Sequence, residues 1–275
     1  MRRHSTRKRP RGSSGAIAAS FVALTLLVAA YMWISTPGTA RIQKRDRRPV
    51  SRLPEPVQPA FRPEITPSPL SSSRSGYYWA PVVRRVTVRA SPDEDAAEIA
   101  TLTRRTPEGT ANIVLALARV NSAMRIWVKV RLPVLPNNTT GWVPRTALGG
   151  YREVHTHLVI DLERLTATLF RSSREVFRTA VGVGRRGSAT PRGEFYIRNR
   201  LTNFDDPFYG PLAFGTSARS SDLTDWPAGG FIGIHGTNRP ALIPGRISHG
   251  CIRMKNSALR ALARLMPVGT PVTIQ

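Results

Sequence analysis

The single cysteine of the chain lies close in sequence to two histidines, and these residue types can perform nucleophilic catalysis. The segment Ile234–Asn256 contains His235, His249 and Cys251. A cysteine attacks as the thiolate, and a nearby imidazole stabilises the thiolate or takes up its proton. Gly250, directly before the cysteine, lets the backbone approach a substrate closely. One segment can therefore supply a nucleophile, a base and backbone N–H groups for a developing oxyanion.

Two other interpretations of these side chains stay open from residue types alone. Cys251 has no second cysteine with which to form a disulfide, and an unpaired cysteine is often a buried structural residue. Alternatively, His235, His249 and Cys251 are three of the four ligands of a zinc ion. The fourth ligand would then come from His155 or His157. We expect no metal and no cofactor.

The same segment closely resembles the active-site signature of the YkuD-type L,D-transpeptidases. That signature runs His-Gly-Thr, then about a dozen residues, then Ser-His-Gly-Cys with an arginine two places on. Here residues 235–237, residues 248–251 and Arg253 match it. A second element, Thr190–Phe195, resembles the Thr-Pro-x-Gly-x-Phe sequence of that family. The resemblance covers roughly residues 155–275.

The resemblance implies a cysteine acyltransferase that acts in peptidoglycan biosynthesis, cell-wall organisation and cell shape. Cys251 would attack the carbonyl of the third stem residue, and the terminal D-alanine would leave. An amine of a second stem would then resolve the thioester into a 3→3 cross-link, with ping-pong kinetics. His235 would accept and return the proton, and the Gly236 carbonyl would orient His235. The resemblance also implies that His249 lines the site, and that oxyanion or substrate contacts come from Ser248, Gly250, Ile252 and Arg253.

Two further functions fit the same residues. If water rather than an amine resolves the acyl-enzyme, the protein is an L,D-carboxypeptidase. If Cys251 is unreactive, the chain is a cell-wall-binding or tethering protein without catalysis. A reactive thiol beside His235 separates the enzymes from the binding protein, whereas access of the acceptor separates the two enzymes.

The N-terminal part of the chain predicts a membrane tether followed by a spacer. Residues 1–15 are a basic cytoplasmic tail, and residues 16–35 are an uncharged apolar run that can cross the ~30 Å hydrocarbon core as a helix. The alternative is a cleavable signal peptide, whose apolar core is usually shorter. Residues 36–76 are rich in proline, arginine and serine and predict an extended linker. Because the implied substrate is extracytoplasmic, we expect the rest of the chain in the cell wall or periplasm.

The formal net charge of +24 is concentrated in the N-terminal tail rather than on one folded face. Residues 1–80 hold 14 basic and 3 acidic side chains, residues 81–150 hold 10 and 5, and residues 151–275 hold 17 and 9. Nucleic-acid binders concentrate basic residues on one surface, so we expect no nucleic-acid partner. The expected partners are peptidoglycan stem peptides and, through the anchor, the cell membrane, whose anionic groups suit this charge.

Two mainly β domains are predicted after the linker. Residues 77–149 contain short β-type runs, and the pieces VTVRASP, WVKVRLP and TGWVPRTAL resemble a bacterial SH3-like domain, a small barrel. Its Asn137-Asn138 pair predicts a polar hairpin turn. Residues 151–275 contain many short strands separated by glycine and proline, which predicts a β-sandwich of the L,D-transpeptidase type.

One helix and one lid are predicted within the second domain. Asn256 can cap a helix over Ser257–Met266, which has leucines on one face. The segment Leu201–Gly230 is rich in glycine, proline and aromatic residues. It predicts either a lid over the site or an ordinary surface loop.

Overall fold

The computed structural model describes residues 66–72, 76–202, 207–221 and 229–275. These residues are mainly β, which confirms that part of the predicted fold class, and they fall in one compact unit. The basic tail 1–15, the predicted anchor 16–35 and most of the linker 36–76 lie outside the described residues. Within the described ranges, the structure has no helix with the length and apolar character of a membrane span.

The N-terminal half forms an eight-stranded, mostly antiparallel sheet in the order β4-β3-β7-β6-β5-β2-β8, with β1 paired to β5. Its strands are rich in β-branched residues, which favour extended backbone, and the start of β5 is buried on both faces. The core beneath it contains Val88, Val114, Val128, Val130 and Val143. The strands are β1 Ser68–Pro69, β2 Tyr77–Pro81, β3 Val86–Arg89, β4 Glu98–Leu102, β5 Ile113–Ser122, β6 Arg125–Arg131, β7 Thr140–Pro144 and β8 Arg152–Val154.

The end of the predicted linker belongs to this sheet. In β1, Ser68 and Pro69 pair with Arg119 and Ala118 of β5. The Ser71 hydroxyl donates to the Ala116 carbonyl at 2.6 Å. The extended, unpaired backbone predicted for residues 36–76 is therefore wrong for its final residues, because β5 offers an edge with which they can pair.

The C-terminal half forms a ten-stranded sheet in the order β11-β10-β9-β18-β13-β14-β15-β17-β12-β16. The long strand β13 joins its two halves, because Gly193–Tyr196 pairs with β18 and the following residues pair with β14. The strands are β9 Thr156–Asp161, β10 Thr166–Arg171, β11 Arg174–Ala180, β12 Gly182–Gly184, β13 Gly193–Thr202, β14 Leu212–Arg219, β15 Phe231–His235, β16 Gly245–Ser248, β17 Ile252–Arg253 and β18 Pro271–Ile274.

Both halves of this sheet and one helix enclose a single apolar core. Helix α1 spans Asn256–Leu265 and buries Leu259 and Leu262 against the strands. The predicted cap is wrong by one residue, since Lys255 precedes the helix and Asn256 is its first residue. The Asn256 side chain instead reaches a neighbouring loop, described below. Short 3-10 turns lie at Arg145–Ala147, Pro207–Tyr209 and Pro240–Leu242.

The two sheets share a small apolar core at their junction. It contains Trp79, Ile113, Leu115, Val154 and Tyr196. The Tyr196 hydroxyl donates to the Ile113 carbonyl at 3.0 Å, so the buried phenol has its acceptor across the junction. Strand β8 lies within the predicted C-terminal domain of residues 151–275, yet it pairs with β2 of the first sheet.

The predicted lid segment Leu201–Gly230 contains a strand of the sheet. β14 runs between β13 and β15, and nearly all of its residues are buried. Residues 203–206 and 222–228 lie outside the described residues. The lid interpretation therefore does not apply to residues 212–219, which form part of the core.

Candidate active site

The strand register brings the cysteine beside the first histidine. β15 and β17 are parallel, with His235 opposite Arg253. The same register, extended by one step, places Cys251 next to Gly233, whose N–H lies 3.3 Å from the Cys251 sulfur. Because side chains alternate between the faces of a sheet, Cys251 and His235 lie on the same face of adjacent strands. A backbone N–H at sulfur also favours the thiolate.

His235 is held as a neutral imidazole with a defined tautomer. Its Nδ1 lies 2.7 Å from the Gly236 carbonyl oxygen. A carbonyl can only accept, so Nδ1 carries the proton and Nε2 has the lone pair. Burial of the ring and the nearby Arg253 charge lower the pKa of His235 to about 4, against a smaller opposing effect of the Gly236 hydrogen bond. His235 can therefore accept a proton at neutral pH.

Buried hydroxyl groups brace the turn that carries Cys251. Ser248 Oγ donates to the Cys251 carbonyl at 2.5 Å and accepts from the Gly250 N–H at 3.1 Å. Thr190 Oγ1 donates to the Gly250 carbonyl at 2.8 Å and accepts from the Gly184 N–H at 2.9 Å. Gly250 has φ of +128°, a conformation that residues with a side chain rarely adopt. The turn is therefore fixed from both sides.

The loop after His235 is fixed by the first residue of helix α1. The Asn256 side-chain oxygen accepts from the Thr237 N–H at 2.9 Å. The Gly236 N–H donates to the Tyr209 carbonyl at 2.9 Å. A Cβ on Gly236 would collide with Asn256 and lie 3.0 Å from the Gly210 Cα. The carbonyl that orients His235 can thus occupy its position only if residue 236 has no side chain.

Two aromatic rings cover His235. The ring centroid of Tyr209 lies 4.9 Å from that of His235, and the centroid of Phe208 lies 5.8 Å away. The Arg253 guanidinium lies 4.3 Å above the Phe208 ring. Arg253 is only 7% exposed, so its charge acts inside the site rather than at its mouth.

The second histidine lies at the exposed rim of the site. His249 Nε2 is 2.7 Å from a terminal nitrogen of Arg185, and both side chains are exposed. The Arg185 N–H donates to the Ser248 carbonyl at 3.0 Å. The β12–β16 ladder, in which Gly184 pairs with Ser248, places these two residues side by side.

The structure brings the predicted site residues close together, but several of them are not placed to contact a substrate as expected. Ser248 is fully buried beneath the turn, so it cannot contact a substrate. The Gly250 N–H already has an acceptor, and Ile252 is a core side chain. His235, Gly236 and Cys251 lie together as the sequence interpretation requires. Among the described residues, no cluster of three His, Cys, Asp or Glu side chains suits a metal ion.

Sequence reasoning missed the roles of several residues that shape the site. Thr190 was visible within its Thr-Pro-Arg-Gly element, although its hydrogen bonds were not. Asn256 was interpreted as a helix cap. Arg185 and Phe208 had no signal in the sequence, because their partners are distant along the chain.

A comparison with known protein families found a match for the region that contains the candidate site. Residues 155–274 match the model of the YkuD family, the L,D-transpeptidase catalytic domain. The match, which covers β9 to β18 and helix α1, supports a YkuD-type catalytic domain here.

The relatives that match are bacterial. The YkuD protein of Bacillus subtilis, provisionally named as an L,D-transpeptidase, is 38% identical over 118 residues, which are 43% of this chain and 65% of that protein. Its Bacillus licheniformis counterpart is 37% identical over 117 residues, 42% of this chain and 64% of that protein. The chain thus covers less than two thirds of each. A solved L,D-transpeptidase from Mycobacterium tuberculosis has 13% identity and a TM-score of 0.41, covering 71% of this chain and 96% of that one.

Proposed function

We propose that this protein is a peptidoglycan L,D-transpeptidase with Cys251 as its nucleophile. The thiolate attacks the carbonyl of the third stem residue, and the bond to the terminal D-alanine breaks. His235 takes the thiol proton and gives it to the departing amine of D-alanine. An amine of a second stem then attacks the thioester and forms a 3→3 cross-link. Its proton passes through His235 back to the sulfur.

The observation that carries this proposal is the tautomer of His235 beside Cys251. With Nδ1–H donated to the Gly236 carbonyl at 2.7 Å, the basic lone pair is on Nε2. In this arrangement a backbone carbonyl does what a carboxylate does in other catalytic triads, which is to fix the ring and its tautomer. The low pKa of His235, caused mainly by burial, keeps the base unprotonated at neutral pH.

The braced turn supports an oxyanion role for the Cys251 backbone. Thr190 and Ser248 hold the carbonyls of Gly250 and Cys251, so the orientation of the peptide groups on either side of the nucleophile is set before substrate arrives. Preorganised donors of this kind are worth about 3–4 kcal/mol when one is removed from an acyl-transfer site. We assign the oxyanion donor to the Cys251 N–H, since the Gly250 N–H is engaged by Ser248.

The proposal also places the enzyme outside the cytoplasmic membrane. Residues 16–35 would anchor the chain, and the following segment would hold the catalytic domain near the cell wall. The eight-stranded sheet would be an SH3-like module that faces the wall polymer. Support comes from the apolar run in the sequence and from the substrate that the reaction requires.

The test is acylation and turnover of defined muropeptides by the full-length protein. Wild type and Cys251→Ser would each be incubated with a disaccharide-tetrapeptide, and protein and product masses would be recorded together. We expect a wild-type-only acyl adduct, release of D-alanine and cross-linked dimers. Ser173→Ala, a small change in the exposed turn between β10 and β11, serves as a control that should retain all three.

Each other outcome selects a different function. An adduct that yields only tripeptide products would make the protein an L,D-carboxypeptidase. The absence of any adduct, with retained binding to insoluble peptidoglycan, would favour a wall-binding protein and reject the enzyme. An acyl adduct that peptide mapping places at a residue other than 251, in wild type or in Cys251→Ser, would point to a different nucleophile.

A further inference from the structure

An exposed guanidinium, that of Arg185, lies at the rim of the site and has no acidic partner among the residues that the structure describes. Arg185 lies directly after β12, and its backbone is fixed at both ends. Its N–H donates to the Ser248 carbonyl, and its carbonyl accepts from the Ser188 N–H, both at 3.0 Å. The side chain therefore leaves from a rigid point beside the nucleophile turn.

His249 fixes the direction of this side chain. A guanidinium can only donate, so His249 Nε2 must accept at 2.7 Å, and the imidazole is neutral in this contact. A neutral partner leaves the positive charge of Arg185 uncompensated. The arginine has five N–H donors, and the described contacts of its side chain involve only one of its nitrogens.

Three other exposed arginines of residues 151–275 are paired with carboxylates, whereas Arg185, like Arg186, has no ion pair among the described residues. Arg164 contacts Asp161 at 3.0 Å, Arg178 contacts Glu175 at 2.6 Å, and Arg192 contacts Glu163 at 3.4 Å. In the described part of the chain, Arg185 has no such ion pair. An exposed arginine that is oriented but not neutralised suits an incoming carboxylate, which it can bind through two parallel hydrogen bonds.

The position of Arg185 relative to the nucleophile limits which carboxylate it can bind. Its partner His249 is two residues before Cys251, and two residues of extended chain span at most about 7 Å. The C-terminal carboxylate of a donor stem is one residue beyond the carbonyl that Cys251 attacks. Arg253, the arginine of the sequence signature, is buried against Phe208 and beside His235, so it is not placed to meet that group.

We propose that Arg185, positioned by His249, binds the C-terminal carboxylate of the residue that leaves from the donor stem. This assignment rests on the proposed transpeptidase reaction. It makes Arg185 a specificity residue that selects stems ending one residue after the attacked carbonyl, because only these present a carboxylate at that distance. His249 acts as a positioning residue for the guanidinium.

The test compares a tetrapeptide donor with a free C-terminal carboxylate and the same donor as its C-terminal amide. Acylation of Cys251 in the full-length protein is followed by intact mass, and kcat and KM are obtained for each donor. We expect wild type to favour the acid roughly tenfold or more, since hydrogen bonds to charged groups contribute about 1.5–3 kcal/mol. Arg185→Gln should lose this preference through a higher KM for the acid, with the amide unchanged.

Two variants and a third donor sharpen the comparison. Arg186→Gln changes the adjacent exposed arginine and should keep the wild-type preference. Arg185→Lys keeps the positive charge but not the planar guanidinium, and it should retain part of the preference for the acid donor. A donor amidated on the side-chain carboxylate of its third residue should be used like the unmodified acid. Dependence of Arg185 on that side-chain group would overturn the assignment to the C-terminal carboxylate.

The outcomes separate this inference from the proposed reaction. Acylation of wild type without an acid preference, or an equal loss for acid and amide in Arg185→Gln, would overturn the role of Arg185 alone. Failure of wild type to be acylated by either donor would overturn the transpeptidase proposal and the assignment with it.

Discussion

The hydroxyl of Thr190 connects two backbone segments that meet beside Cys251. It accepts from the Gly184 N–H and donates to the Gly250 carbonyl. Thr190 is 4% exposed, so water cannot replace either contact if the hydroxyl is removed. Thr190 of the Thr-Pro-Arg-Gly element therefore fixes the turn that carries Cys251 through these two hydrogen bonds.

Thr190→Val should weaken both the fold and the chemistry. The shape is nearly preserved, but a buried carbonyl and a buried N–H lose their partner, which costs about 1–3 kcal/mol of unfolding free energy. We expect a matching fall in urea-unfolding stability and at least a tenfold lower acylation rate, because the turn is no longer held. Thr179→Val, whose hydroxyl has only a 3.4 Å contact with the Ala180 carbonyl, should change neither.

His235 gives the protein a pH-dependent stability of known sign. Burial and the Arg253 charge lower the pKa of His235 to about 4, whereas an unfolded chain binds the proton near pH 6.5. Between these values the unfolded state holds a proton that the folded state lacks. The free energy of unfolding therefore falls as the pH drops from 6.5 to 4, by about 3 kcal/mol.

This effect can be isolated with His235→Asn, which cannot titrate. We expect the difference in unfolding free energy between wild type and His235→Asn to shrink by about 3 kcal/mol from pH 7 to pH 4. Urea titrations at a series of pH values measure it. A difference that stays constant over this range would show that His235 is not held neutral by its surroundings.

Residue types and their spacing indicate which side chains could react, but they do not indicate which side chains contact one another. Cys251, His235 and Gly236 could be proposed from a short segment, because the reacting groups are close in sequence. Ser248 and Arg253 could not be placed, since their burial depends on β12 and on Phe208, which are distant along the chain. The sequence contains the candidate nucleophile and base close together, whereas tertiary packing decides which other side chains are exposed beside them.

At the scale of elements, the first residue of helix α1 holds the loop that follows His235. Asn256 is the first helical residue after Lys255, and its side-chain oxygen accepts a hydrogen bond from the Thr237 N–H. The sequence suggested a cap because asparagine is favoured at that position. In the structure the Asn256 side chain makes no helix cap and instead accepts from Thr237, because the buried N–H of Thr237 needs a hydrogen-bond partner.

Asn256→Ala should therefore affect the site more than the helix. The Thr237 N–H would lose its acceptor, and the Gly236 carbonyl that holds His235 would be less well fixed. We expect a tenfold or larger drop in acylation rate with little change in helical circular dichroism. Asn256→Asp keeps the acceptor oxygen and should preserve most of the activity. Ser257→Ala, at the next helix position, is the neutral comparison.

Strand β14 shows why one element escaped prediction. Its sequence LAFGTSAR includes glycine, serine and alanine, and nearly every residue is buried. A strand covered on both faces has no alternation of apolar and polar residues. The neighbouring β15 is easier to predict, because Phe231–Ile234 is short, apolar and bounded by glycine. The sequences of β9, β10 and β18 indicate strands for similar local reasons.

At the scale of the whole molecule, the two sheets are joined by polar contacts as well as by their shared apolar core. Asn137 exchanges two hydrogen bonds with the backbone of Arg219, at 2.8 and 2.9 Å. Asn138 accepts from the Glu194 N–H at 2.7 Å. The polar turn predicted at Asn137-Asn138 thus also joins the first sheet to the ten-stranded sheet. No local pattern could predict this, because each bond spans more than 50 residues.

A buried ion pair crosses the same junction. Glu108, from the first sheet's β4–β5 connection, lies 2.7 Å from Arg198 of β13, and both side chains are at most 2% exposed. Glu108→Gln would leave the arginine charge buried and uncompensated, which costs about 3–5 kcal/mol. Urea unfolding of the full-length protein should register this loss as a lower midpoint. Glu98→Gln, in an exposed pair with Arg89, should cost less than about 1 kcal/mol.

Strand β18 follows all other strands of the described chain in sequence, yet it lies in the interior of the ten-stranded sheet, between β9 and β13. It supplies Val272 and Ile274 to the core that also supports Cys251. Both neighbours are made long before it, so their pairing must wait for the end of this region to emerge. The core that contains Cys251 is therefore incomplete until Pro271–Ile274 has entered the sheet, so the packing around the thiol depends on the most C-terminal strand of the described chain.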